Sequence, residues 1–382
     1  MDIKKMKKLN VAFYISSSKK VGGGFQYEFK AVSLLLNSNF NDINILVLSD
    51  IRNVVKEYDE MRIEIIFMKY RQEDDSLITM EDFLIRNSID LIYFLTPTTK
   101  AKELINIPYV MTVWDLCHRD FNEFPEVRNN YEFEKREERY TTLLKKAIKI
   151  TTDSELGKKN ICYRYGIDEK RVEVLKFLPR DMAIEKVIDI RTKYNITNKY
   201  IYYPAQFWAH KNHIYILKAL HLLKLEYDLI IDVIFTGTDY GNLEYILEKA
   251  QEYSIETQIH YLGFVEDEEI PNLYKQSIAL VMPTYFGPTN IPPLEAFLLG
   301  IPVCYSDLDG LREQVGEAAF LIDLRNPYSL VNHIITIIND KETVNNKVNL
   351  GYEVINSWTE SDFINVIYHI LNEYKTIREC WR

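Results

Sequence analysis

Short runs rich in β-branched and aromatic residues recur along the chain, each followed by a longer stretch in which apolar positions return every three or four residues. "LNVAFYIS" (9–16) passes through "SSKKVGGG" into the amphipathic "FQYEFKAVSLLLN", and "INILVLS" (43–49) follows, which predicts a strand–helix–strand unit. Further strands are predicted at "DLIYFLT" (90–96), "PYVMTVW" (108–114) and "IKITTDS" (148–154), with the charged helical stretch "NYEFEKREERYTTLLKKA" (130–147) before the last of them. The pattern restarts at "KYIYYPAQ" (199–206) and continues through "LIIDVIFTG" (229–237), "IHYLGFV" (259–265), "SIALVMPT" (277–284), "IPVCYSD" (301–307) and "AAFLI" (318–322). Alternation of this kind builds parallel sheets covered by helices. The expected fold is therefore α/β, with two Rossmann-like doubly wound parallel-sheet domains, residues 1–185 and 186–361. The join is expected in the polar stretch 179–198, and the last helix, about 362–382, is expected to pack back onto the first domain. Ligands of open parallel sheets bind beyond the carboxyl ends of the strands, and two facing sheets leave a cleft, so the strand-end loops are where chemistry is expected.

The length of 382 residues exceeds what one core usually serves and agrees with two domains. A formal net charge of -10 disfavours nucleic acid, whose binding needs a basic field. Cys117, Cys162, Cys304 and Cys380 lie far apart without paired spacing, which suggests neither a zinc site nor a disulfide framework and agrees with a reducing compartment. The start "MDIKKMKKLNVAFYISSS" is too short and polar in its apolar run for a signal or a span, so a cytoplasmic chain is expected. Lys4, Lys5, Lys7 and Lys8 read as a solvated terminus, with weak peripheral contact at the inner face of a membrane as the alternative.

Three strand-end loops carry candidate chemistry. In "VGGGF" (21–25), Gly23 and Gly24 would let backbone N–H groups approach an anion at a helix start; a flexible turn is the bland alternative. A nicotinamide fingerprint beginning at Gly22 and Gly24 meets Tyr27 where its third glycine belongs, and only Asp50 favours it. In "AQFWAHKNH" (205–213), Lys211 is placed to neutralise a phosphate or else is a solvated lysine, Asn212 is a possible cap, and His210 and His213 read as positioning or surface residues. In "PTYFGPTNIPPLEAFLLGIPVCYSD" (283–307), Asn290 is expected to cap a short helix, Pro292 or Pro293 suits its first turn, and Gly300 ends it. Glu295 is expected in that first turn, either accepting a ribose diol or simply complementing the helix dipole, with the amides of Thr289, Asn290 and Ile291 open to a diphosphate or sugar. No Asp-x-Asp signature sits at a strand end, and Asp74–Asp75 reads as surface, so no metal is expected.

Taken together these loops resemble the retaining GT-B glycosyltransferases of glycosyltransferase family 4, over nearly the whole chain. The most specific segment is "MPTYFGPTNIPPLEAFLLGIPVCYSDLDGLREQVGEAAFLID" (282–323), similar to the family's Glu-x7-Glu region. "YLGFVEDEEIPNLYKQS" (261–277) resembles the segment around the nucleobase and implies backbone contacts at Gly263, Phe264 and Val265. "TVWDLCHRDFNEFPEV" (112–127) resembles the His-Asp-Leu region, and "TTDSELGKKNI" (151–161) the strand end beyond it. Three positions depart from the family. Gly287 stands where the first glutamate of the pair belongs, which leaves Thr289 and Asn290 to complete the donor pocket. Gln206 replaces the arginine of the Arg-x4-Lys phosphate clamp while Lys211 is kept, and Trp114 replaces the histidine before Asp115, leaving His118 as the nearest imidazole on the acceptor side. The resemblance implies transfer of a hexose, mannose or another, from a nucleotide-diphosphate sugar to a saccharide or lipid-linked acceptor in surface polysaccharide assembly. It implies Lys211, Asp115 and His118 as catalytic residues, and no cofactor beyond the donor substrate. A non-hydrolysing nucleotide-sugar 2-epimerase is the alternative, while a nicotinamide dehydrogenase and a solute-binding protein are disfavoured by Tyr27 and by the missing export signal.

Overall fold

The structure is a computed structural model that describes residues 8–19, 22–69, 79–287 and 289–381. Lys4, Lys5 and Lys7 of the basic start, Asp74–Asp75 and Pro288 lie outside these residues. The chain divides into two compact units. The first comprises Met1–Leu116, Phe133–Leu178 and Thr359–Arg382; the second comprises Cys117–Glu132 and Pro179–Trp358. The join thus falls at 178/179 rather than 185/186, and sixteen residues from the middle of the expected first domain group with the second.

The first unit is built on a seven-stranded sheet in the order β3-β2-β1-β4-β5-β6-β7. Its strands are β1 (Leu9–Tyr14), β2 (Ile43–Ser49), β3 (Ile66–Phe67), β4 (Leu91–Phe94), β5 (Tyr109–Thr112), β6 (Lys149–Thr152) and β7 (Val172–Val174). Every pairing is parallel. β1, β4 and β5 are nearly continuous apolar runs, as a sheet buried on both faces requires. β3 and β7, the edge strands, are two and three residues long and escaped the sequence pattern because runs so short carry no periodicity. The last helix, Glu360–Arg378, docks on this unit: Tyr374 donates to the Asp90 carbonyl at 3.1 Å, Lys30 pairs with Glu360, and Lys375 with Asp42. Tyr27, in the helix Gly23–Asn37, sits in an aromatic cluster with Trp114, Phe177 and Phe363. A residue of that bulk keeps helix and strand from the close approach a dinucleotide fingerprint needs.

The second unit carries a six-stranded sheet ordered β10-β9-β8-β11-β12-β13, again parallel throughout. The strands are β8 (Tyr200–Pro204), β9 (Asp232–Thr236), β10 (Ile259–Gly263), β11 (Ala279–Met282), β12 (Val303–Ser306) and β13 (Phe320–Ile322). The central strand β8 is unusual in placing three tyrosines in the core, and each buried hydroxyl finds an acceptor or donor. Tyr200 donates to the Leu273 carbonyl at 2.8 Å, Tyr202 shares a bond with the Thr236 hydroxyl at 2.9 Å, and Tyr203 donates to the Lys211 carbonyl at 2.9 Å. Buried phenols left unpaired would each cost about 1–3 kcal/mol, so these bonds fix how strand and loop sit together. The third one holds the loop that carries Lys211. Among the described residues no helix is long and apolar enough to cross a membrane, and the four cysteines are free thiols.

Candidate functional site

Both sheets reverse their strand order beside a central strand, and at such a switch point the two adjoining loops diverge and leave a crevice. The chain treats its two switch points differently. In the first unit, between β1 and β4, the loop after β1 has its amides taken by carboxylates of the protein itself. Glu28 accepts from the Ser16 N–H at 2.9 Å and the Ser17 N–H at 2.8 Å, and Glu57 accepts from the Lys19 N–H at 2.8 Å and the Ser18 hydroxyl at 2.9 Å. Gly22 precedes the helix with a φ of 75°, and Gly23 begins it. The amides spent in this way are those of Ser16, Ser17 and Lys19; Gly23 and Gly24 lie further on, at the start of the helix. Burial pushes the Glu28 carboxyl up to about 7, against the lowering effect of the Ser16 and Ser17 amides. Asp50 is likewise engaged, by the Tyr14 hydroxyl and Lys100, each at 2.5 Å.

The second switch point, between β8 and β11, carries a cation instead. Lys211 closes the turn Ala209–Lys211 after β8, and its ammonium lies 3.5 Å from the Asn290 side-chain oxygen in the loop after β11. These two residues, far apart in sequence, are brought together here. The strand ends beside them are stitched by backbone bonds: Ala205 N–H to Thr236 O at 2.9 Å, Phe207 N–H to Thr238 O at 3.0 Å, and Gly237 N–H to Gly263 O at 2.9 Å. Gly237 has a φ of 139°, and a Cβ there would lie 2.4 Å from the Ala205 carbonyl oxygen, so only glycine allows this edge to close.

Asn212 takes a left-handed conformation, φ 56° and ψ 41°, before the helix His213–Tyr227, and its side chain makes no cap bond. His213 is not a surface residue. Its ring stacks on Phe207 at 4.1 Å within the core, and burial, then the charges of Lys211 and His210, push its pKa down to about 3, so it stays neutral. Gln206, standing where a second phosphate cation was sought, accepts from the Trp208 indole N–H at 3.0 Å, and Trp208 in turn stacks on Tyr240.

The helix Ile291–Leu298 differs from expectation in three ways. Asn290 holds the N-cap position but makes no side-chain cap bond; its side chain donates to the Tyr305 hydroxyl at 2.6 Å. Its backbone is clamped by Gln314, which accepts from the Asn290 N–H at 3.0 Å and donates to the Asn290 carbonyl at 2.6 Å. Of the amides expected for a diphosphate, that of Asn290 is thus taken by Gln314, and Pro292 and Pro293 offer no N–H at all. Glu295 lies one turn deeper than expected and is fully buried. Its Oε2 accepts from the Tyr274 hydroxyl at 2.8 Å, and its Oε1 is bound by Arg180 Nε. Burial works against the Arg180 charge, but the Glu295 carboxylate beside it prevails and raises its pKa. Gly300 does end this helix region, with a φ of 68°.

The remaining candidates are placed as follows. Gly263 has a φ of 65°, Phe264 is 68% exposed and Val265 is buried, all at the carboxyl end of β10. Trp114 and Asp115 follow β5 in the first unit, where Asp115 pairs with Arg136 at 2.9 Å. His118 is fully buried in the short helix Cys117–Asp120, which groups with the second unit. As to metals, Glu173, His369 and Glu373 place ligand atoms within 4.8 Å of one another, yet Lys149 already donates to both carboxylates at 2.9 Å and fills the position of a cation. Sequence reasoning missed Arg180, Gln314, Tyr274 and Gly237. Arg180 lay in a stretch read as a polar join, and nothing in the sequence distinguishes it from the other cations there.

The glycosyl transferases group 1 family model matches residues 186–354, which spans the second sheet and the loops that carry Lys211, Gly263 and Glu295, and leaves out Arg180. Residues 186–354 are a group 1 glycosyl transferase domain. Over 198 residues the chain is 26% identical to the O-antigen chain mannosyltransferase B of Escherichia coli, covering 50% of this chain and 51% of that protein. It is 25% identical, also over 198 residues, to a UDP-Gal:alpha-D-GlcNAc-diphosphoundecaprenol alpha-1,3-galactosyltransferase of Escherichia coli, covering 48% and 49%. In these alignments the chain spans about half the length of the curated relatives it matches. Solved structures match more broadly. A glycosyltransferase from Rickettsia africae superposes with a TM-score of 0.73 at 16% identity, covering 96% of this chain and 98% of that one. Anabaena HepE in complex with UDP-glucose gives a TM-score of 0.73 at 16% identity, covering 96% and 100%. The fold around the group 1 glycosyl transferase domain is thus that of the GT-B glycosyltransferases.

Proposed function

We propose that this chain transfers a hexosyl group, mannose or another hexose, from a nucleotide-diphosphate sugar to a saccharide or lipid-linked acceptor in surface polysaccharide assembly, with retention of anomeric configuration as in family 4. The observation that carries this reading is the cation at the second switch point, Lys211 within 3.5 Å of Asn290, inside a group 1 glycosyl transferase domain. The relatives named for O-antigen mannosyl transfer and for galactosyl transfer to a lipid diphosphate, and the UDP-glucose held by the Anabaena neighbour, support a sugar-nucleotide donor.

Such chemistry needs charge stabilisation on a departing diphosphate more than it needs a strong base. Lys211 supplies the charge, and the Thr289 and Ile291 amides supply directed N–H donors. The backbone of Gly263 to Val265 would meet the nucleobase, and Glu295 the ribose. Trp114, Asp115 and His118 form the acceptor-side proposal. With Lys211 meeting the diphosphate, the reaction draws on no resident cofactor or metal, so EDTA should leave turnover intact.

The test is a melting-temperature screen against UDP- and GDP-hexoses, followed by turnover with the donor that binds. A donor at a hundred times its dissociation constant should stabilise the native protein by about 2.7 kcal/mol. Lys211→Ala should fold normally and lose about 3 kcal/mol of barrier lowering, roughly a hundredfold or more in rate. Near-normal turnover in that variant would remove Lys211 from the diphosphate, and no melting shift with any donor would overturn the reading.

A further inference from the structure

Glu126, in the Cys117–Glu132 segment, lies against the turn that carries Lys211. It stands in the short helix Pro125–Arg128, and its side chain is 8% exposed. Its Oε1 accepts from the His210 backbone N–H at 2.8 Å and also meets His210 Nδ1. Its Oε2 is buried and has no hydrogen-bond partner among the described residues. A carboxylate oxygen withdrawn from water without a donor is costly, and a native structure that keeps one calls for a functional or structural reason. Burial alone would push the Glu126 carboxyl up, but its bonds to His210 outweigh that and hold its pKa below the usual value. The group is therefore an ionised, acceptor-only carboxylate at neutral pH.

Its surroundings specify what kind of donor would fit. The His210 ring lies flat on Phe286 at 3.8 Å, and Phe124 joins Phe286 and Tyr285 at 5.6 Å and 5.3 Å to form an aromatic wall. Phe286 immediately precedes Gly287, where no side chain exists, and His210 immediately precedes Lys211. Aromatic faces beside an ionised carboxylate, one residue from a cation, suit a pyranose whose C–H face rests on rings and whose hydroxyls need acceptors.

We propose that Glu126 is a sugar-binding residue of the donor site, accepting a hydroxyl of the transferred hexose through Oε2 while Oε1 holds the His210–Lys211 turn. This rests on the glycosyltransferase reading above, because it presumes a nucleotide sugar with its diphosphate at Lys211. Glu126 reaches the site from a segment distant in sequence and so fills, with a carboxylate, the neighbourhood that Gly287 leaves without one.

The test compares Glu126→Gln and Glu126→Ala with the unaltered protein by calorimetry, using UDP against UDP-glucose and GDP against GDP-mannose. The isosteric glutamine keeps an acceptor for the His210 N–H and guards against a variant that merely unfolds. The expected result is that both variants bind the bare nucleotide within about twofold of the original, lose the extra affinity conferred by the hexose, and turn over at least tenfold more slowly. In addition, deoxy-hexose donors lacking the bonded hydroxyl should be penalised in the original protein and not in Glu126→Gln. Parallel loss of bare-nucleotide and sugar-nucleotide affinity would show that Glu126 only braces the Lys211 turn, and unchanged affinity for both would remove it from the site. Either outcome overturns this proposal while leaving the glycosyltransferase reading standing; failure of the unaltered protein to bind any of the four probes would overturn both.

Discussion

A carboxylate with no solvent exposure must have its charge met inside the protein, and for Glu295 this is done by Arg180 and Tyr274. The pairing changes what a mutation at this site reports. Glu295→Ala removes a candidate ribose ligand but also leaves the Arg180 guanidinium with only the longer 3.5 Å contact to Asp267, and breaking a buried pair costs about 3–5 kcal/mol. Glu295→Ala should therefore melt well below the unaltered protein, whereas Arg180→Met with Glu295→Leu, which removes both charges, should recover much of that loss and still fail to bind nucleotide. If the double variant bound nucleotide normally, Glu295 would have no part in the ribose contact. A second residue-scale effect belongs to Glu28. Its carboxyl titrates at about 7 in the folded chain against 4.5 for an unperturbed glutamate, so the folded state holds its proton more tightly. The folded state therefore loses stability as pH rises from about 4.5 to about 7, by up to about 3 kcal/mol. Glu28→Gln has no such proton to lose. Melting curves between pH 5 and 7.5 should lie close together at the low-pH end and part on the high-pH side, the original protein falling and the variant staying level; equal slopes would refute the buried-carboxylate account.

Elements are positioned by contacts that leave little room for added atoms. The helix Ile291–Leu298, which carries Glu295, packs against the helix Lys341–Asn356 at Gly351, where a Cβ would lie 2.6 Å from the Phe297 ring. Phe297 is buried and cannot swing aside. Gly351→Ala should destabilise the second unit by about 1–3 kcal/mol through overpacking, seen as a lower urea midpoint. A normal midpoint would mean that these two helices slide freely past each other. The same logic explains the pattern at strand ends. Gly237 and Gly300 hold positive φ where a neighbour already occupies the space of a side chain, the Ala205 carbonyl for one and the Tyr352 hydroxyl for the other. Tyr203, by contrast, contributes through what it adds, a hydroxyl that ties β8 to the Lys211 turn.

At the scale of the whole molecule, the chain's last helix belongs to its first unit. Glu360–Arg378 buries Phe363, Ile367, Ile370 and Leu371 there. Four such side chains are worth about 6–12 kcal/mol of burial, comparable to the net stability of an ordinary domain. A chain ending at Trp358 should therefore lose the cooperative unfolding of the first unit while the second still melts as a unit. Calorimetry should show one transition missing, and two intact transitions would mean that the helix is an accessory. Close neighbours in sequence are also parted by this division: Trp114 and Asp115 group with the first unit, His118 and Glu126 with the second.

The sequence by itself determined the repeating strand–helix order, both sheets apart from edge strands too short to show a period, the end of the helix at Gly300, and Lys211 as a cation after the first strand of the second sheet. Those features follow from local rules, in which periodicity, punctuation by glycine and proline, and position after a strand are all carried by adjacent residues. Only the tertiary structure decided which polar groups are already spent. Glu28 and Glu57 consume the amides after β1, Gln314 consumes the Asn290 backbone, and Arg180 consumes one oxygen of Glu295, each from a partner at least ten residues away. Hydrogen-bond partners at such separations are set by where the sheets bring the chain back. A residue's type shows that it can bind a ligand, while its folded neighbours decide whether its bonding capacity is still open.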